Sequence, residues 1–222
     1  MTTASSTLRW TYLGRVPYRE ALALQLRLRQ AIRAGSSPDT LLLVEHPPVI
    51  TLGRHARPDH VLASPAQLAR LGIERVAVER GGDVTYHGPG QLVGYPLRRV
   101  GRAIREHLRG IARALLGFVG ERGIACRWRD DAPGIWTPAG KVAAVGIDAR
   151  QRVAMHGFAL NLDPDLSHYG AIVPCGLSEP VTSLRQLGVD PPPLSEAARE
   201  LAGRLADAYG GVGREISPID LE

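Results

Sequence analysis

Between residues 134 and 162 the chain offers three strand-like stretches in succession, at 134–137, 141–147 and 153–162. Ala149, Arg150 and Gln151 join the last two as a hairpin. A chain that commits this block to strands must build a sheet, and the rest of the sequence interleaves further strands with helices. Alternating Leu8, Trp10 and Tyr12 predict a strand over 8–13, and Pro17 opens a helix to about Ala34 that carries Leu22, Leu24, Leu26 and Ile32 among arginines. Apolar runs at 41–45 and 49–53 flank Pro47-Pro48 and read as buried strands. Ser64-Pro65 starts a short helix to Leu71. Further strands are expected at 75–78, 92–97 and 125–129, and helices at 103–121, 182–187 and 196–209. The 222 residues fit one domain, 1–222, of the α/β (α+β) class: a mixed β-sheet flanked by helices.

Composition narrows the function. With 44% apolar and 22% charged residues the chain can bury a core, so wholesale disorder is excluded. No run of 18 apolar residues exists and the first residues lack the basic and apolar regions of a signal peptide, so a cytoplasmic protein without membrane association is expected. The net charge of +5 suits either nucleic acid or an acidic protein partner. The arginines are dispersed and spaced as solvated helix faces (Arg27, Arg29, Arg33; Arg102, Arg105, Arg109, Arg113), and aromatics are 5% of the chain, which disfavours nucleic acid. Of 27 basic residues only Lys141 is lysine. Arginine matches lysine in charge but cannot release a proton near neutral pH, so the one retained lysine is a candidate for proton chemistry or a chance survivor. The two cysteines, Cys126 and Cys175, make no structural disulfide in a reducing compartment. His55 and His60 do not have a metal-ligand spacing, so no metal is expected.

Three segments are hard to explain by packing alone. Arg80-Gly81-Gly82-Asp83-Val84-Thr85-Tyr86-His87-Gly88-Pro89-Gly90 clusters glycines on both sides of a histidine. It reads either as a surface turn or as a loop whose backbone approaches a ligand closely. Residues 140–147 and 155–161 are rich in Gly and Ala where core strands usually carry large side chains. Either an apolar slot lies beside them or two backbones cross closely. Cys175 sits between Pro174 and Gly176, ahead of the helix expected at 182–187, whose N-terminus would favour a thiolate; Cys126, beside Trp128 in a strand, reads as an inert small hydrophobe.

The four motifs RGGDVTYHGPGQ, GKVAAVGI, HGFALNL and IVPCGL, in this order, resemble the octanoyltransferase family of lipoate biosynthesis, with the diagnostic residues inside 80–187. The resemblance implies the fold of the biotin/lipoate ligase catalytic domain. It implies an acyltransferase that moves octanoyl from octanoyl-acyl carrier protein to a lysine of lipoyl domains, in E2 subunits and the glycine cleavage H protein, with no cofactor. Both kinds of partner are typically acidic. Cys175 would carry the acyl thioester and Lys141 would favour its thiolate. Substrate contacts would come from Arg80, Gly81, Gly82, Asp83, Val84, Thr85, Tyr86 and His87, from Ala144, Val145 and Gly146, and from Gly157, Phe158 and Ala159. Three other readings stay open: an ATP-dependent lipoate ligase on the same fold, an arginine-rich nucleic-acid binder, and a thiol hydrolase using Cys175 with His87 or His156. Against the ligase, Gly-Pro-Gly follows His87 where an acidic residue or lysine would hold Mg–nucleotide.

Overall fold

The computed structural model describes residues 6–173 and 179–221, so Cys175 lies outside the described residues. Leu8 and Trp10 alternate into the core from β1 (Ser6–Arg15). Pro17, whose ring fixes φ near the helical value, precedes α1 (Tyr18–Ala34). Gly35 ends it at φ 84°, returning its N–H to the last turn. The two apolar runs become β2 (Thr40–Glu45), buried throughout, and β3 (Val49–Leu52). Ser64 and Gln67 exchange side-chain and backbone bonds at the start of α2 (Pro65–Arg70), the reciprocal arrangement that fixes a short helix. Then follow β4 (Glu74–Ala77), β5 (Val84–His87), β6 (Gln91–Arg99), α3 (Ile104–Gly120) and β7 (Arg127–Arg129). The expected meander is β8 (Gly134–Thr137), β9 (Gly140–Asp148) and β10 (Val153–Asn161); α4 (Leu194–Ala208) and β11 (Gly211–Glu215) close the chain.

Among the described residues the strands form two sheets. The larger is ordered β11-β1-β2-β6-β10-β9-β8-β7, with β1 parallel to both β2 and β11 and the remaining pairs antiparallel. The smaller is β4-β3-β5. Helices α3 and α4 cover one face of the large sheet through Ile111, Leu115, Phe118, Leu201 and Leu205. Helix α1 covers the other through Ala21, Leu28 and Ile32. This is the expected mixed sheet flanked by helices, with the second sheet as an addition.

Several details depart from the sequence reading. The glycine-rich stretch contains β5, because Val84–His87 pairs with β3. Residues 182–187 form turns rather than a helix, since neighbouring strands capture their donors: Thr182 N–H bonds the Lys141 carbonyl, Leu184 N–H that of Asn161, and Arg185 N–H that of Leu162. No helix N-terminus therefore follows Cys175 there. Arg29 is buried rather than solvated, and its guanidinium meets Asp148 at 2.9 Å. Burial alone would raise the Asp148 carboxyl, but Arg150 and Arg29 outweigh it and bring the group to about 2. No described helix is long and apolar enough to cross a membrane.

Candidate active site

A cavity of about 350 Å³ lies where the 80–83 loop and β5 face β6, β9 and β10 of the large sheet. Its wall against β9 and β10 is built from Ala144, Gly146, Gly157 and Ala159, so the small side chains do leave a slot. They also let backbones approach. A Cβ on Gly157 would stand 2.1 Å from the Gly94 carbonyl oxygen, and one on Gly94 would enter the Phe158 ring. Both readings of the Gly/Ala strands hold at once.

The loop above the slot is fixed by its own backbone. Gly81 N–H bonds the Ile147 carbonyl at 3.0 Å, and Gly53 and His55 N–H bond the carbonyls of Asp83 and Gly82. Gly82 has φ 88°, which suits glycine. The Arg80 guanidinium donates to the Thr51 carbonyl at 2.8 Å and to its hydroxyl at 2.9 Å. Asp83 accepts from His60 Nδ1 and from Arg57 N–H, so His60, one of the two histidines without a metal-ligand spacing, anchors a cavity wall.

Strand periodicity divides the β5 candidates. Thr85 and His87 line the cavity. Val84 and Tyr86, on alternate positions, point into an apolar cluster with Ile50, Leu68 and Ile172. The remaining candidates, Arg80, Gly81, Gly82, Asp83, Lys141, Val145 and Phe158, also belong to the cavity wall.

Lys141 stands near the start of β9, almost fully buried, with Nζ 4.7 Å from the centre of the Trp136 ring. Its backbone N–H bonds the Pro180 carbonyl, and its carbonyl accepts from Thr182 N–H. On the other side of the undescribed residues 174–178, Val173 N–H bonds the His60 carbonyl at 2.8 Å. Both flanks of the segment carrying Cys175 are thus tied to the cavity's framework, one at Lys141 and the other at the partner of Asp83.

The electrostatics favour neutral imidazoles. His87 donates Nδ1–H to Gln91 Oε1 at 2.7 Å, and the Gln91 amide is oriented by donating to Asn161 Oδ1 at 2.8 Å. Nε2 of His87 is therefore the basic nitrogen. Burial, then the nearby His46, pushes His87 down to about 3. His46 donates to the Val16 carbonyl and accepts from the Tyr95 hydroxyl at 2.7 Å, and burial holds it at about 4. Tyr18 stacks on His87 at 6.0 Å, and burial raises its hydroxyl to about 12. Sequence reasoning missed Tyr18 and Tyr95 in the wall, and also Leu108, Asp131, Ala132 and Pro133. These come from remote parts of the chain and carry no local signal. Gln91 and Asn161 lay within the quoted motifs and could have been found there.

Residues 17–206 match the family described as the lipoyl protein ligase A/B catalytic domain. A protein of Geobacter metallireducens named octanoyltransferase is 45% identical over 197 residues, covering 87% of this chain and 89% of that one. Another of that name from Chloroflexus aurantiacus is 44% identical over 217 residues, covering 91% and 94%. Among solved structures, a putative lipoate protein ligase from T. acidophilum superposes with a TM-score of 0.73 at 17% identity, over 96% of this chain and 91% of that one. Lipoate-protein ligase A bound with ATP superposes at 0.68 and 16% identity, over 98% and 92%.

Proposed function

Because this chain belongs to the octanoyltransferase family and is an acyltransferase of lipoyl-related chemistry, we propose that it carries octanoyl from acyl carrier protein to a lysine of a lipoyl domain, through a thioester on Cys175. The observation that supports this most is the slot walled by Ala144, Gly146, Gly157 and Ala159, with the chain's only lysine in its wall and that lysine's backbone bonded to Pro180 and Thr182, just past the segment that carries Cys175. An apolar slot takes an alkyl chain, at about 0.8 kcal/mol per buried methylene. A lysine takes and returns protons where arginine cannot.

In the first step the Cys175 thiolate attacks the thioester carbonyl. The carrier's thiol leaves with a proton from the Lys141 ammonium, which is thereby the neutral amine needed in the second step, and one thioester replaces another of similar energy, so no ATP is consumed. A free thiol with a pKa near 8.5 is only a few per cent ionised at pH 7, so a nearby ammonium helps to populate the thiolate. In the second step the acceptor lysine must attack as a neutral amine, a form that roughly one in a few thousand such side chains adopts at pH 7. Lys141 serves as the base that takes its proton, the amide forms, and the Cys175 thiolate leaves. Backbone N–H groups of the glycine loop are candidates for stabilising the oxyanion. A groove beside α3 that carries Arg105, Arg109 and Arg113 adjoins the cavity at Leu108 and supports the approach of an acidic carrier.

The test is transfer in the absence of nucleotide. Octanoyl carrier protein and a lipoyl domain should yield octanoylated domain without ATP. Lipoate with ATP and magnesium should release no pyrophosphate; robust release with no carrier-dependent transfer would replace this reading by the ligase.

A further inference from the structure

A second cavity, of about 480 Å³, lies between α1 and the β9–β10 turn. Among the described residues His156 is the one that lines both it and the first cavity. Register places His156 at the end of the slot remote from Lys141. It pairs with Ile147, six residues along β9 from Lys141, and the wall between them is Ala144, Gly146, Gly157 and Ala159. An acyl chain joined near Lys141 and laid along that wall runs towards the His156 side chain.

His156 is an unusual residue to find there. It is 2% exposed, and neither ring nitrogen has a hydrogen-bond partner. An unpartnered imidazole in such a place costs stability, by desolvation without compensation. Its backbone adds a second cost, with φ at 60°, a left-handed conformation rare for a side chain other than Gly, Asn or Asp. The local cause is visible. His156 lies opposite Pro96 in the β6–β10 register, where the regular ladder is interrupted, and its N–H turns instead to Gln25 Oε1 at 3.0 Å. The ring is neutral, since burial and then Arg80 push it down to about 4. Two local costs at one buried residue between two cavities indicate a role beyond packing.

We infer that the second cavity is an extension of the acyl site, closed off by the His156 side chain, and that His156 thereby limits chain length at octanoyl. The second cavity offers Leu22, Val78 and Met155 to an alkyl tail, and its other lining includes the Arg29–Asp148 pair with Glu79, Arg150 and Gln151. At its rim Leu26 is 46% exposed. A tail that passed His156 would have Leu22, Val78 and Met155 to lie against. This inference rests on the acyl-transfer reading of the first cavity.

The test uses His156→Gly and His156→Asn, two residues that suit φ near 60° and so preserve the fold, with thermal melts as the check. Rates with octanoyl and dodecanoyl carrier protein are compared within each variant. One buried methylene is worth about fourfold, so the dodecanoyl-to-octanoyl ratio of His156→Gly should exceed that of wild type by at least tenfold. His156→Asn should fall between them, and adding Leu26→Trp at the far rim should reverse the gain. Calorimetric binding of octanoate and dodecanoate gives the same comparison without catalysis. If wild type transfers no octanoyl, the acyl-transfer reading fails while the binding comparison still decides the extension. Folded variants with an unchanged chain-length preference in both measurements would overturn the inference.

Discussion

Acid should unfold this protein well before its carboxylates titrate, and the reason lies in its buried histidines. His46, His87, His107 and His156 are pushed by burial to about 4, 3, 3 and 4, whereas an unfolded chain holds each near 6.5. The folded values are depressed, so between pH 6.5 and about 4 the unfolded state binds more protons, and stability falls as pH falls through that window. At pH 5 each histidine costs about 2 kcal/mol relative to pH 7, up to roughly 7 to 8 kcal/mol for the four. That is comparable to the total stability of about 5–15 kcal/mol usual for a domain. His107 isolates one contribution away from the cavity. It is 1% exposed, stacked on Tyr209 at 5.5 Å between ring centres, and neither of its nitrogens has a partner. His107→Phe keeps the stacking and removes the titration. Urea unfolding at pH 7 and pH 5 should show the loss of stability shrinking by about 2 kcal/mol in the variant. Equal pH dependence in wild type and variant, or a wild type equally stable at both values, would refute the argument.

Three further expectations concern packing, proton transfer and charge. Gly157→Ala would place a Cβ 2.1 Å from the Gly94 carbonyl and 2.6 Å from Pro96 Cδ, so it should lower stability by about 3 kcal/mol or more in a thermal melt. Lys141→Arg should still form the acyl-enzyme but lose about 10²- to 10⁴-fold in transfer to the acceptor, with partial recovery at high pH, and Lys141→Met should impair both steps; near wild-type transfer by Lys141→Arg would move the base elsewhere, His87 first. Arg105→Glu combined with Arg109→Glu should reduce kcat/KM for carrier-bound octanoyl and weaken its salt dependence while sparing a small uncharged octanoyl thioester, because exposed charges act over about 10 Å at 0.1 M salt.

Much of the fold is legible because local patterns and tertiary burial agree. β9 and β10 read as a hairpin from two short strand-like stretches about a tight turn, and α2 announces itself through Ser64-Pro65. The small sheet is not legible. β2 and β3 are both apolar runs beside Pro47-Pro48, and only pairing with β4 and β5 separates them. β11 is mostly exposed and carries no alternation, so its parallel pairing with β1 leaves no trace in the pattern. Residues 182–187 carry helical propensity, but hydrogen bonds to Lys141 and the end of β10 prevail over it. The candidate site was legible where a motif is contiguous, as in the 80–87 segment. Period two along β5 could have set Val84 and Tyr86 apart from Thr85 and His87. The Tyr18, His46, His87 and Tyr95 cluster could not have been found, since it joins α1, the end of β2, β5 and β6 only after folding.

The central claim is that octanoyl passes through Cys175, and intact mass spectrometry tests it directly. Mixed with octanoyl carrier protein and no acceptor, the wild-type chain should gain the mass of one octanoyl group, mapped to Cys175 and discharged when a lipoyl domain is added. Cys175→Ser should gain none, or an ester that persists. Labelling at Cys126, whose thiol is raised by burial, or transfer to the lipoyl domain by Cys175→Ala at the wild-type rate would contradict it.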